Sequence, residues 1–212
     1  MADERSLPFI NEAIAFARGE ESLERFLLQA IKAIDPDDLV RQEPGALLRT
    51  LARSHEALLA GPLTETRILF TQPAAPGEAL VIDVISPDMP FIVDSTLAAL
   101  RAMGGAIRLF SHPVLRVRDG QVVESDGIAI SLLHIHSEPV ADPEALKAEI
   151  ADTLRDVAWA VADWRAMLER VQQAMAVLRT LHPAQRDEAM AFLEWLTEHN
   201  FTFLGMREYR LE

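Results

Sequence analysis

His134 and His136 stand two residues apart in an apolar run, a spacing that turns both imidazoles to one face of a strand, with Asp126 and Glu138 close in sequence. Such donors suit a zinc or nickel ion. Only the two histidines are held on one face, however, so a solvated strand end is the simpler reading. Asp94, Ser95 and His112 supply the side-chain types of a hydrolase triad. Ser95 lies inside a helical stripe without a Gly-x-Ser-x-Gly elbow, so capping and core packing explain the three better. Arg108, Arg116 and Arg118 alternate on strand and could hold a carboxylate or simply face solvent. The pairs Glu20-Glu21 and Asp37-Asp38 flank helices as macrodipole residues, and Trp159, Trp164 and Trp195 sit on helical stripes as core or helix contacts. Among the nine glycines there is neither G-x-G-x-x-G nor G-x-x-x-x-G-K-[ST]. A self-contained dinucleotide or ATP enzyme is therefore disfavoured, and no residue is assigned a catalytic role. The best remaining feature is Asp88-Met89-Pro90 together with Gly104 and Gly105. A strand running into a helix start exposes free amides that bind carboxylates or phosphates.

The elements that must position these residues follow from periodicity. From Ser6 to about Ala60, apolar residues at helical spacing predict three short helices, with Ser22 capping the second, Asp35-Pro36 ending it, and Pro44 and Gly61-Pro62 framing the third. Arg67–Phe70 and Ala79–Ile85 read as strands. Asp88 caps a helix over Ile92–Leu100 that Gly104-Gly105 stops, with Pro90 near its first position. Ala106–Val117 is a strand in which Pro113 forces an edge or a bulge. Asp119-Gly120 marks a hairpin, and Val122-Val123 and Gly127–His136 return the chain. Beyond Asp142-Pro143 an apolar stripe runs from Leu146 to Leu178, which predicts one long helix that connects or dimerises. Pro183 restarts a helix closed by Asn200, and Phe201–Leu204 with Tyr209 reads as a final strand. These elements predict an N-terminal helical segment, 1–62, and an α+β domain, 63–212. A strand so near the chain end suggests a segment of something longer.

The 212 residues carry 33 acidic against 20 Lys and Arg side chains, a formal charge of −13. That balance, with cations scattered singly, disfavours nucleic acid. Zero cysteines exclude disulfides and thiolate sites and agree with a cytoplasmic location. Neither a signal peptide nor a membrane span is expected.

Asp88-Met89-Pro90-Phe91-Ile92 with Leu100, Gly104 and Ile107 resembles the D-x-P-G-L-L, L, G, I pattern of ligand-sensing ACT domains. More specifically, Ser86–Ser95, His112-Pro113-Val114, Asp163-Trp164 with Met167, and Phe192–Leu196 running into Asn200–Gly205 and Arg207-Glu208-Tyr209 resemble the N-terminal region of the large bacterial NAD-specific glutamate dehydrogenases. The resemblance spans about Val81 to Arg210. It implies a ferredoxin-like, ACT-type antiparallel sheet with helices on one face, and a noncatalytic regulatory or assembly segment. The parent enzyme would deaminate L-glutamate to 2-oxoglutarate with NAD, a cofactor bound outside this segment. An amino-acid effector would then sit at Asp88, Met89, Pro90, Asp94, Gly104 and Gly105, its ammonium near Asp88 or Asp94. Phe91, where ligand-binding ACT domains carry glycine, favours a subunit contact equally. The rivals are a pure oligomerisation module and a metal enzyme using His134 and His136. Expected partners are the rest of the polypeptide and a second copy of the chain.

Overall fold

A computed structural model describes residues 4–180, 183–200, 203, 205–207 and 209. The chain divides into two compact units, 1–154 and 155–212, so the packing boundary falls late in the chain rather than at 62/63. The reason is that the N-terminal helices cover a face of the sheet instead of forming a unit of their own.

Unit 1 opens with a 3-10 turn, Glu4–Ser6, and helices α1 (Leu7–Ala17), α2 (Glu21–Lys32), α3 (Pro36–Leu39) and α4 (Pro44–Leu59). The expected three helices are four, because Asp35 accepts the Asp37 amide and starts a single extra turn at Pro36. Glu43 caps α4 by accepting the Gly45 and Ala46 amides. Ser22 is no cap. It lies buried inside α2, accepts the Val122 amide at 2.9 Å and stands 2.9 Å from His55 Nε2, joining α2 to α4 and the sheet.

The sheet comprises β1 (Arg67–Thr71), β2 (Leu80–Pro87), β3 (Ile107–Ser111), β4 (Val114–Arg118), β5 (Gln121–Val123) and β6 (Ile128–Ser137), all pairings antiparallel. The order is β1-β2-β6-β4-β5, with β3 also on β6. The strand expected over 106–117 is split at His112-Pro113, where Pro113 gives no ladder donor and its carbonyl instead accepts the Leu132 amide. Between Ile107 and Leu109 the register shifts, which makes Arg108 a bulge. Helix α5 (Ile92–Ala102) follows β2, and α6 (Pro143–Ala162) follows β6.

Strand parity divides the core. Leu80, Ile82, Val84, Leu133 and Ile135 pack with Ile92 and Leu100 of α5 and Leu146, Ile150 and Leu154 of α6. Ile85, Leu109, Leu115, Ile130 and Leu132 pack with Phe26, Ile31, Leu48 and Leu51 of α2 and α4. The ACT-type helices α5 and α6 thus share one face as expected, while the N-terminal helices seal the other.

Unit 2 holds α7 (Trp164–Leu178) and α8 (Pro183–Trp195), which pack on each other, and α8 continues as a π-helical turn, Leu196–Asn200. The long helix expected through Leu178 is broken at Asp163, whose φ of −104° and ψ of 1° end α6. Trp159, Trp164 and Trp195 are exposed rather than core. The expected strand at Phe201–Leu204 lies mostly outside the described residues. Among the described residues no helix is long and apolar enough to cross a membrane.

Candidate functional site

The expected effector residues fall at opposite ends of α5. Its 11 residues span about 16 Å at 1.5 Å each, so the Asp88–Pro90 turn and Gly104-Gly105 do not form one pocket. The glycines close the helix: Gly104 has φ +80°, and the Gly105 amide donates to Leu100 O at 2.9 Å. Asp88 does not cap α5, contrary to expectation. Its Oδ1 accepts from Ser131 Oγ at 2.6 Å, and Ser131 Oγ lies 3.2 Å from His112 Nε2. Asp88, Ser131 and His112 therefore form a chain, whereas the candidate triad of Asp94, Ser95 and His112 is not assembled. Burial pushes the His112 imidazole below its usual pKa, with Asp88 opposing that shift.

Phe91 precedes α5 in the left-handed region, φ 67° and ψ −1°, and its ring is 48% exposed. This conformation gives a backbone reason for glycine after the proline in the pattern. Pro87 and Pro90 supply no amide donors to this turn, and it lacks the glycines of a phosphate loop, so it does not fit a dinucleotide phosphate.

His134 and His136 are not a solvated strand end. They are 0% and 8% exposed, on the face covered by α4. His134 Nδ1 lies 2.7 Å from Asp83 Oδ1, Ser54 Oγ of α4 donates to the same oxygen at 2.9 Å, and the two Nε2 atoms are 2.9 Å apart. A carboxylate only accepts, so His134 donates through Nδ1, accepts at Nε2, and receives the His136 Nε2 proton. Burial, then the neighbouring His134, lowers the His136 pKa to about 4, against a raising influence from Asp83. Because each imidazole occupies the other's Nε2, a metal would have to displace this bond, and among the described residues no group of three or more His, Asp or Glu could hold one. Sequence reasoning missed Asp83, Ser54 and Ser131. A lone carboxylate amid Leu80–Ile85 was the available signal for the first.

Arg108 forks onto Glu138 and donates to Gly77 O at 2.7 Å, which raises its pKa and lowers that of Glu138. Arg116 donates to Gly127 O at 3.2 Å, so these two strand arginines serve the fold, not a ligand.

Two relatives are similar to this chain. The NAD-specific glutamate dehydrogenase of Halomonas elongata is 34% identical over 150 residues, and that of Pseudomonas aeruginosa 31% over 146. The matches take in 61% and 60% of this chain but only 9% of each relative. Residues 26–154 match the glutamate dehydrogenase ACT1 domain family. That range holds β1–β6, α5 and most of the helical cover, and the chain accordingly belongs to the glutamate dehydrogenase ACT1 domain family.

Proposed function

We propose that the chain is a noncatalytic regulatory and assembly segment of an NAD-specific glutamate dehydrogenase, which oxidises L-glutamate to 2-oxoglutarate and ammonium elsewhere in the polypeptide. The observation that carries this reading is the enclosure of Asp83, His134 and Ser54 beneath α4, where no substrate reaches the set of side chains best suited to proton transfer. The family and the relatives support the parent activity. A cytoplasmic setting and NAD in the parent belong to the same proposal.

An amino-acid effector would bind at the β2–α5 turn, with Asp94 exposed in the first turn of α5 and Asp88 beside it, leaving Gly104 and Gly105 a purely structural role. A thermal scan with the twenty amino acids tests this. A ligand at a hundred times its dissociation constant stabilises by about 2.7 kcal/mol. A shift that survives Asp88→Ala with Asp94→Ala moves the effector elsewhere, and glutamate turnover by this chain alone would end the noncatalytic reading.

Assembly without a ligand is the second reading, favoured by the exposed Trp159, Trp164, Phe192 and Trp195. Sedimentation at micromolar concentration distinguishes a second copy of the chain on those rings from a strict monomer.

A further inference from the structure

A cavity of about 790 Å³ opens within unit 1 between α3–α4 and the β1–β2 turn, a size suited to a small organic ligand. Its outer wall is fixed: Arg108 holds Gly77 O, and Glu78 accepts the Ala74 and Ala75 amides. Arg41, Arg49 and Arg53 line it beside Arg108, four cations against the two acids Asp38 and Glu78 in a chain of charge −13. Arg108 is held by Glu138, but the other three are not strongly committed. Arg41 meets Asp38 at 3.8 Å and Arg49 meets Glu43 at 3.7 Å, exposed pairs of little strength, and Arg53 has no ion pair among the described residues.

His136 forms part of the inner wall and is 8% exposed. Its Nε2 proton is given to His134, so its Nδ1 is a lone-pair acceptor, and that atom has no partner among the described residues. Unlike a buried unsatisfied atom, this nitrogen is open to the cavity, where it can accept from a donor on whatever fills the space. No aromatic ring other than this imidazole lines the space, so nothing there stacks a nucleobase.

We propose that this cavity binds a small organic anion with two or more acidic groups and one hydrogen-bond donor, the acids on Arg41, Arg49 and Arg53 and the donor on His136 Nδ1. The donor is a hydroxyl or an ammonium. The site lies on the sheet face away from α5 and is independent of the effector reading at Asp88.

Calorimetric titration of the 212-residue chain at pH 7.5 with two matched pairs tests it: citrate against tricarballylate, which lacks only the hydroxyl, and L-aspartate against succinate, which lacks only the ammonium. At least one donor-bearing probe should bind tenfold or more tighter than its mate. Arg49→Gln with Arg53→Gln should weaken it tenfold or more, and Arg49→Lys with Arg53→Lys, which keeps the charge and the fold, should still lose part of the affinity because the planar fork is gone. The pair that responds identifies the donor. Equal binding within both pairs, no binding by any probe, or binding unchanged in the Arg→Gln variant overturns the proposal. Affinity lost instead in Asp88→Ala with Asp94→Ala assigns the ligand to the β2–α5 turn and equally overturns it.

Discussion

Asp83 and His134 are direct partners in the β2–β6 ladder, and their side chains meet at 2.7 Å on the face sealed by α4. The pairing places a charge-bearing bond between two strands at the centre of an apolar layer, where Ser54 and His136 extend it into a four-residue network.

Removing the acceptor should be costly. Asp83→Ala removes the acceptor that Ser54 and His134 share and leaves them only longer bonds, Ser54 to Thr50 O and to His134 Nδ1, both at 3.2 Å, an expected loss of about 2 kcal/mol in urea unfolding. Ser54→Ala alone should cost about 1 kcal/mol. The double variant should fall short of the sum, because both changes break the Ser54–Asp83 bond. Strict additivity would show that the two side chains do not share a network.

Acid should destabilise the fold through His136. Its folded pKa of about 4 lies below the unfolded value of 6.5, so the unfolded state binds the proton more readily between those values. Stability is full above pH 6.5 and declines as the pH falls toward 4. Between pH 7.5 and pH 5 the loss from this residue is about 2 kcal/mol, at 1.36 kcal/mol per unit. His55 and His112, also lowered by burial, act in the same direction. His136→Gln should therefore flatten the pH profile without abolishing it, and an unchanged profile would remove His136 as the source.

At position 91 the backbone and the side chain disagree. Phe91→Gly and Phe91→Ala both delete the ring, but only glycine occupies φ 67° without strain. The glycine variant should be the more stable by about 1 kcal/mol. Equal melting temperatures would mean that this turn relaxes.

Gly105→Ala should destabilise by about 2 kcal/mol, since an added Cβ would stand 2.2 Å from Leu100 Cδ1 and 3.0 Å from Leu100 O in a fully buried setting. Calorimetric melting reads the effect. A Leu100→Ala background should recover part of the loss if the collision is with that side chain.

Much of the fold was legible. The short apolar runs Leu80–Ile85 and Ile128–Ile135, bounded by turn residues, marked the two central strands, and Asp119-Gly120 marked the hairpin, because these signals are local. The site was less so. Ser54 lies 80 residues from His134 and reads as one polar position on a helical stripe until α4 lies across the sheet. The cavity arginines share that fate, since nothing local brings α4 to the turn after β1. The stripe from Leu146 to Leu178 kept its periodicity across Asp163, so the break between α6 and α7 left no apolar signature.

The bulge at Arg108 has a meaning for chain length. Ile107 pairs with Ser137 and Leu109 with His136, neighbours on β6. A chain shorter by this single residue would pair in unbroken register, with Ile107 still turned to α5 and α6 and Leu109 to the N-terminal helices. Only the clamp on Gly77 and Glu138 would vanish, so gaining or losing one residue here alters the rim of the cavity without reversing either face of the core.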